Sequence, residues 1–372
     1  MEEDWRILLE LFPSGWEELG RQSGAITRLR GFESVESVLR TVLLHVGCGW
    51  SLRETVAQAK LAGIAEVSDV SLMTRLKQSE QWLRQLSQRL WQENGMQLQP
   101  ALKQLPVRLI DATLVREPGP TGALWRIHYS VRFPSLECDY FELTPIRGKN
   151  TGEKLGRYQF HRGELVFVDA GYCHPPGIAA VVDAGAYVCV RLNPASLPLF
   201  DERGRTFPLL KRIGTLRRAG TTAEWQVWVQ AGERRIAGRV CAVRKSEAAI
   251  QRAQRRLDKR KQRRVSSATP ETREYAKYVL VFTTLALDKA TTREVLECYR
   301  FRWQIELTFK RLKSIAQLGH IPKKDDQSVR AWLYGKLLVA LLTEKLMRVG
   351  KTISPWGYYL PREQAAYSEP LA

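Results

Sequence analysis

Residues 106–115 read PVRLIDATLV, an apolar and β-branched run that surrounds a single aspartate, Asp111. This composition predicts a buried strand. A second run with the same character, GELVFVDAGY at 163–172, predicts a strand that ends on Asp169. Between and after them lie three further strand-like stretches and one helix-like stretch: LWRIHYSV (124–131), CDYFELT (138–144), AYVCVRLN (186–193) and, as the helix, PPGIAAVVDAG (175–185). Three strands, a short crossover, a strand, a helix and a strand predict an α/β domain.

The first hundred residues have a different texture and predict helices. SLRETVAQAKLAG at 51–63 has Ser51 as a candidate N-cap and Gly63 as a terminator. A second helix is expected over 71–91, capped by Ser68 or Ser71. Two helices joined by a short turn outline a DNA-binding helix-turn-helix, with Arg75 and Lys77 near the start of the second helix. An ordinary helical bundle explains the same pattern equally well.

Residues 192–290 again predict strands, interrupted by one very basic stretch. The strands are EWQVWVQ (224–230), GRVCAVRKS (238–246) and YAKYVLVFTT (275–284). Between the last two, AAIQRAQRRLDKRKQRR at 248–264 has helical propensity and little acid to balance its cations. A solvated helix is one interpretation, and contact with phosphates through residues such as Arg255, Arg256 and Lys259 is favoured. The chain beyond 291 is expected to be helical.

Composition narrows the class of protein. The 372 residues carry a formal net charge of +19, and 44% of them are hydrophobic, which predicts a globular protein with a polyanionic partner, nucleic acid before an anionic membrane surface. No apolar run is long enough for a membrane span, and the acidic start MEEDWRILLE is unlike a signal peptide. The six cysteines are scattered without a CxxC pair, which argues against a disulfide framework or a zinc site. A cytoplasmic, nucleoid-associated location follows as the expectation.

Asp111 and Asp169 are candidate metal ligands. Each follows an apolar run, where an unpaired carboxylate is costly to desolvate. One such aspartate alone is more often a cap of the next turn. Two in one α/β domain make a shared site for Mg²⁺ more attractive, because hard divalent cations prefer carboxylate oxygens, water and substrate phosphate.

A third carboxylate stands in the segment 299–313. If that segment is one helix, Tyr299, Arg302, Glu306 and Lys313 fall within an arc of about 60°, beside an apolar stripe. A carboxylate, two cations and a phenol on one edge suit a metal-bound phosphodiester. A surface helix with an Arg302–Glu306 salt bridge is the plainer interpretation, but it leaves Tyr299 and Lys313 unexplained. By contrast, RGKNTGEKLG at 147–156 lacks the glycine and hydroxyl residues of a phosphate-binding P-loop.

These residues resemble a known family. Tyr299, Arg302, Glu306 and Lys313 match the Tyr-x2-Arg-x3-Glu-x6-Lys signature of the insertion-sequence-four group of bacterial DDE transposases in residues and spacing. Asp111-Ala112-Thr113 is similar to the family's Asp-small-Thr, and Asp169-Ala170-Gly171-Tyr172 resembles its Asp-Arg-Gly-Tyr block. The likeness covers roughly 105–320. Ala170 departs from it by standing where arginine is usual, which removes one expected phosphate contact unless a nearby basic residue substitutes.

The resemblance implies an α/β fold with a ribonuclease-H-like catalytic core, a β-rich insertion and a preceding helical domain. The corresponding boundaries are 1–100 for a helical DNA-binding domain, 101–191 for the first part of the core, 192–290 for the insertion with its basic helix, and 291–372 for the rest of the core and the C-terminal helices. It implies that Asp111, Asp169 and Glu306 hold two Mg²⁺ or Mn²⁺ ions, while Tyr299, Arg302 and Lys313 grip DNA. Trp303, Trp225 and Trp228 are candidates to stack on a flipped base.

The function so implied is metal-dependent cleavage at transposon ends and strand transfer into target DNA. The expected partner is double-stranded DNA, as terminal inverted repeats and target, with a homodimer on paired ends and no membrane. Two alternatives stay open: a catalytically inactive DNA-binding descendant, and a ribonuclease-H-fold nuclease that cuts without joining.

Overall fold

The computed structural model describes residues 2–95, 100–102, 104–116, 124–262, 269–314, 317–318, 321–323 and 325–351. These residues form two compact units. The first takes the described residues of Met1–Asn94, Val115–Leu124 and Arg311–Ala372, and the second takes those of Gly95–Leu114 and Trp125–Lys310. We call them the helical unit and the sheet unit.

Six helices come first along the chain, as the sequence predicts for its first hundred residues, and strands and helices follow. The helices are α1 (Glu2–Glu10), α2 (Trp16–Gln22), α3 (Val35–Cys48), α4 (Leu52–Leu61), α5 (Asp69–Gln78), α6 (Glu80–Gly95), α7 (Pro175–Asp183), α8 (Leu209–Ile213), α9 (Glu247–Gln262), α10 (Pro270–Tyr275), α11 (Thr292–Tyr299), α12 (Trp303–Ser314) and α13 (Asp326–Lys351). The strands are β1 (Pro100–Leu102), β2 (Leu105–Arg116), β3 (Leu124–Phe133), β4 (Cys138–Pro145), β5 (Leu165–Val168), β6 (Tyr187–Arg191), β7 (Thr222–Ala231), β8 (Arg234–Arg244) and β9 (Tyr278–Thr283). Within the described residues, no helix combines the length and apolar character needed to cross a bilayer.

The helical unit packs α13 against α3 and α5. Ser51 caps α4 by accepting a hydrogen bond from the backbone N–H of Glu54. Ser68, rather than Ser71, caps α5, since its side chain accepts from the backbone N–H of Ser71. The single helix expected over 71–91 is wrong, because α5 ends at Gln78 and α6 begins at Glu80.

Arg75 has a structural role in the helical unit. Its guanidinium is buried and donates to the backbone carbonyls of Ala25 at 2.8 Å and Arg28 at 2.6 Å. Lys77 forms an ion pair with Asp325 at 3.2 Å. The cations that suggested a recognition helix are therefore engaged by the protein itself, which favours the interpretation as a helical bundle for this segment.

The sheet unit is built on one mixed sheet. Within the described residues the strand order is β4-β3-β2-β5-β6-β9-β8-β7, with β1 paired to β2. β5 runs parallel to both β2 and β6, and α7 makes the crossover between β5 and β6. β9 then pairs antiparallel with β6 and with β8. The strands of 192–290 thus extend the same sheet that carries Asp111.

The core of the sheet unit explains why β2, β5 and β6 lie at its centre. Val166, Val168, Val188 and Val190 are fully buried, in line with the nearly continuous apolar runs of strands covered on both faces. Ile178 of α7 packs into the same cluster. Asp169 directly follows the end of β5, whereas Asp111 lies within β2, which continues to Arg116.

Candidate active site

Asp111 and Asp169 are neighbours at one point of the sheet. β2 and β5 pair in parallel register, with Val107 opposite Leu165 and Ile110 opposite Val168. Asp111 directly follows Ile110, and Asp169 directly follows Val168. The parallel register therefore places side by side two carboxylates that are 58 positions apart in the sequence.

Burial dominates the electrostatics of Asp111. Desolvation raises the pKa of its carboxyl to about 7, and repulsion from Asp169 and Glu153 adds to the rise. The backbone N–H of Ala112, which donates to Asp111 Oδ1 at 2.8 Å, and the Arg302 guanidinium act in the opposite direction. For Asp111, desolvation and the two neighbouring carboxylates outweigh these favourable contacts.

The expectation of one continuous helix over 299–313 is wrong at residues 300–302, where a 3₁₀ turn joins two α-helices. α11 ends at Tyr299, a 3₁₀ turn spans Arg300–Arg302, and α12 begins at Trp303. The Phe301 ring in this turn packs on Phe133 with ring centroids 4.9 Å apart. Arg302 nevertheless lies over the Tyr299 ring at 6.0 Å and pairs with Glu306, so these three side chains meet on one side as the sequence predicts.

Tyr299 joins the end of α11 to the strand that precedes Asp169. Its hydroxyl donates to the Val168 carbonyl at 2.9 Å, and its ring packs beside Phe167 with centroids 6.2 Å apart. Only 8% of the residue is exposed, and burial raises the pKa of the phenol well above its ordinary value. In this structure Tyr299 contacts protein, at the point where β5 delivers Asp169.

Arg302 lies between the first and third carboxylates of the predicted triad. Its guanidinium is 3.4 Å from Asp111 Oδ2 and 2.5 Å from Glu306 Oε1. The Glu306 side chain is 56% exposed, whereas the Arg302 side chain is 12% exposed. Glu306 therefore stands at the rim of the site and is tied to it through Arg302.

Whether these residues fit a metal can be judged from their chemistry. Within the part of the chain that the structure describes, no three His, Cys, Asp or Glu side chains are grouped closely enough to hold a metal ion. Arg302 places its guanidinium in contact with both Asp111 and Glu306. The donor set itself fits a hard divalent cation, since it consists of carboxylates, and burial raises the pKa of one of them, Asp111, to about 7.

The sequence did not indicate two further charged residues near Asp169, which are Glu153 and Arg126. Glu153 lies in the segment 147–156, which was considered only as a phosphate loop, and Arg126 lies on β3. Burial raises the pKa of Glu153, Arg126 lowers it, and Asp169 raises it further. No spacing rule connects Glu153 to Asp169. The one local signal is Gly171, a glycine two residues after Asp169.

The other predicted contact residues are spread more widely. Trp303 is 50% exposed at the start of α12. Trp225 lies beside Phe207, and Arg235 stacks over Trp228, so both indoles contact protein. Lys313 follows on α12 and belongs to the helical unit.

A group of basic side chains extends from the sheet to α9. Arg191 directly follows Val190, which pairs with Val168, so Arg191 lies next to Asp169 at the end of β6. Burial lowers the pKa of Lys245 to about 8, with repulsion from Arg191 and Arg256 contributing. Arg255, Arg256 and Lys259 are exposed on α9.

Comparison with known proteins identifies the family. The model of the transposase DDE domain matches residues 149–342. The chain belongs to the DDE transposases. Relatives of this transposase cover almost its whole length. InsL of insertion sequence element IS186A from Escherichia coli K12 is 31% identical over 364 residues, which are 95% of this chain and 96% of InsL.

Two other relatives show the range of the family. The transposase of insertion sequence element IS421 from Escherichia coli is 31% identical over 365 residues, covering 95% of this chain and 96% of its own. The transposase of IS231F from Bacillus thuringiensis is 21% identical over 271 residues, covering 65% of this chain and 56% of its own. The protein is a bacterial insertion-sequence transposase that acts on DNA, and DDE transposase domains generally use divalent metal ions.

Proposed function

We propose that Asp111, Asp169 and Glu306 are the catalytic carboxylates, and that the transposase cuts DNA at the terminal inverted repeats of its element and joins the ends to target DNA. The single observation that carries this is the parallel register of β2 and β5, which brings Asp111 beside Asp169 while Arg302 links Asp111 to Glu306. Two divalent ions, Mg²⁺ or Mn²⁺, would supply Lewis-acid chemistry at the phosphodiester when bound to these carboxylates.

The topology supports a ribonuclease-H-like core. The order β4-β3-β2-β5-β6, with β5 parallel to β2 and β6 and with α7 as the crossover, is the arrangement expected for such a core. In this proposal the insertion of 192–290 follows β6, and the helical region of 1–100 is the DNA-binding domain. A homodimer that pairs two ends completes the proposal.

The chain's own residues have distinct parts in this mechanism. Asp111 must lose its proton before it can bind a cation, because its pKa is near neutrality. Arg302 contacts Asp111 and Glu306 and would bind a phosphate oxygen of the DNA beside them, because an arginine suits bidentate contact with phosphate. Tyr299 holds the end of β5 through its hydrogen bond to Val168. Tyr299 and Lys313 would also contact the DNA in this proposal.

Basic residues from β6 to α9 would bind the DNA backbone near the aspartates. Arg191 lies beside Asp169 and supplies positive charge near the place where Ala170 replaces the family's arginine. Lys245, Arg255, Arg256 and Lys259 carry that charge toward α9, where phosphates are the expected ligands. Trp303, half-exposed at the start of α12, is the candidate to stack on an unpaired base.

The experiment is a cleavage and joining assay on DNA that carries the element's own terminal repeats, with Mg²⁺. Asp111→Asn, Asp169→Asn and Glu306→Gln should each lower the cleavage rate by about a thousandfold or more, which corresponds to about 4 kcal/mol of lost transition-state stabilisation. DNA binding in EDTA should stay within about threefold of wild type, because each change removes negative charge.

The products distinguish the alternatives. Cut and joined DNA from the wild type supports a transposase, and cut DNA without joined products indicates a nuclease. Binding without cutting indicates a DNA-binding descendant. Wild-type cleavage by any one of the three variants would remove that residue from the proposed triad.

A further inference from the structure

Glu153 occupies space that only a glycine leaves open. Its Oε2 atom lies so close to Gly171 that a Cβ atom on residue 171 would be 1.8 Å from it. The backbone of Gly171 is outside the left-handed region, so its conformation does not require glycine. The requirement for glycine therefore comes from the carboxylate of Glu153.

Glycine is required at residue 171 for the position of the Glu153 carboxylate and not for folding. The atom that would clash is the end of a flexible side chain, which can rotate away from a methyl group at little cost. A side chain at residue 171 would leave the fold intact and move the carboxylate. Gly171 thus serves to admit Glu153 to the turn that follows Asp169.

A second contact holds Glu153 from the side of β3. Arg126 Nε is 4.0 Å from Glu153 Oε1, and another nitrogen of the same guanidinium donates to the Thr151 carbonyl at 2.5 Å. The Thr151 hydroxyl in turn donates to the carbonyls of Ile146 and Gly148, which closes the loop that leads to Glu153. The carboxylate is therefore fixed between a strand and the turn Ala170–Tyr172.

We propose that Glu153 is a positioning residue of the active site, which holds the turn after β5 so that the Asp169 carboxylate faces Asp111. The inference rests on the proposed function of the two aspartates. Glu153 acts through Asp169 by packing its carboxylate on Gly171 and pairing with Arg126. Gly171 and Glu153 form one contact, so changing either residue should displace the Asp169 carboxylate in the same way.

The test compares Glu153→Ala, Gly171→Ala and the double variant in the full chain. Two quantities are measured: Mn²⁺ binding to the free protein, followed by the electron paramagnetic resonance signal of unbound Mn²⁺, and the Mg²⁺ concentration that gives half-maximal cleavage. Each single variant should weaken both by about tenfold, and the double variant should be no weaker than either single one, because the two changes disrupt one contact. Glu153→Gln, which keeps the packing and loses the charge, should fall between wild type and Glu153→Ala.

Controls separate positioning from general damage. Glu297→Ala, at an exposed residue of α11 that pairs with Arg293 at 2.9 Å, should bind Mn²⁺ as the wild type does. Thermal unfolding of Gly171→Ala should stay within about 2 °C of the wild type, and this variant keeps the test valid even if Glu153→Ala folds poorly.

Two results would overturn the inference: unchanged Mn²⁺ binding by Glu153→Ala and Gly171→Ala, or losses that multiply in the double variant. Failure of the proposed function looks different. In that case Asp111→Asn and Asp169→Asn would themselves bind Mn²⁺ as well as the wild type.

Discussion

At the residue scale, Arg302 neutralises the carboxylates that a metal would bind. Its guanidinium contacts Asp111 and Glu306 and would compete with a divalent cation for both. The same guanidinium is well suited to bind a phosphate of the DNA. In the proposed mechanism, Arg302 would therefore affect both metal binding and contact with DNA.

Replacing Arg302 should separate these two effects. Arg302→Gln should tighten Mn²⁺ binding to the DNA-free protein by about threefold to tenfold, because loss of a partly buried ion pair of about 1 kcal/mol removes the competing cation. Cleavage at saturating Mn²⁺ should fall. Calorimetric titration measures the first and the cleavage assay the second, with Arg302→Lys as the control that keeps the charge. Weaker Mn²⁺ binding by Arg302→Gln would show that the guanidinium does not compete.

The pKa of Asp111 makes stability depend on pH. Burial raises this pKa to about 7, so the folded protein retains a proton that the unfolded chain releases at lower pH. Its contribution to stability is therefore present at acidic pH and is lost as pH rises toward 7 and above. Mg²⁺ binding requires the ionised form, so the apparent Mg²⁺ affinity should increase across the same range.

Asp111→Asn removes that titration. In EDTA the unfolding temperature of the variant, relative to that of the wild type, should rise by roughly 2–4 °C between pH 5 and pH 8, because only the wild type must ionise Asp111 over this range. Thermal unfolding followed by circular dichroism checks this. An equal difference at both pH values would mean that Asp111 does not titrate between them.

At the element scale, a buried ionic network ties the strands behind the site together. Asp139 on β4 pairs with Arg108 of β2 at 3.1 Å and with Arg132 of β3 at 2.5 Å, and Arg132 also pairs with Glu164 just before β5. All four side chains are buried. Because each charge is compensated inside the protein, the network fixes how these strands align.

Asp139→Ala should destabilise the transposase by about 3–5 kcal/mol, since it leaves buried guanidinium groups without their carboxylate. The urea midpoint of the transition that reports on the sheet unit measures the loss. Glu297→Ala breaks an exposed pair on α11 and should cost about 0.5 kcal/mol or less. Similar midpoints for the two variants would contradict the structural role given to the network.

At the scale of the whole molecule, positive charge is the dominant property. The net charge is +19, and α9 presents several exposed cations, among them Arg255, Arg256 and Lys259. On that helix, the Asp258 carboxylate already forms an ion pair with the Arg273 guanidinium, with Nη2 and Oδ1 2.6 Å apart. This leaves the helix strongly basic and accessible to a polyanion.

Neutralising α9 should weaken DNA binding in a manner that depends on salt. A triple variant with Arg255, Arg256 and Lys259 changed to Gln should reduce the slope of log affinity against log salt by about 0.9 for each phosphate that is no longer neutralised, or about 2 to 3 in total. Fluorescence anisotropy over a range of NaCl concentrations measures this slope. The charge-preserving triple change to Lys, Lys and Arg is the control. An unchanged slope in the Gln variant would place the DNA elsewhere.

The sequence by itself determined the elements that surround the site and the family. The apolar runs before Asp111 and Asp169 predicted β2 and β5 correctly, and Ser51 predicted the start of α4, because periodicity and capping are local properties of the chain. The spacing of Tyr299, Arg302, Glu306 and Lys313 indicated the DDE transposases, which the relatives confirm.

Only the tertiary structure decided which of these residues meet. The Arg302–Glu306 pair follows from its i,i+4 spacing. The 3₁₀ turn at Arg300–Arg302, the contact of Arg302 with Asp111, and the contact of Glu153 with Gly171 have no signature in local spacing. Each depends on strand register and on packing between segments far apart in the chain. The physical reason is that propensity acts within a few residues, whereas a site made from distant strands and a helix is fixed by how the core closes.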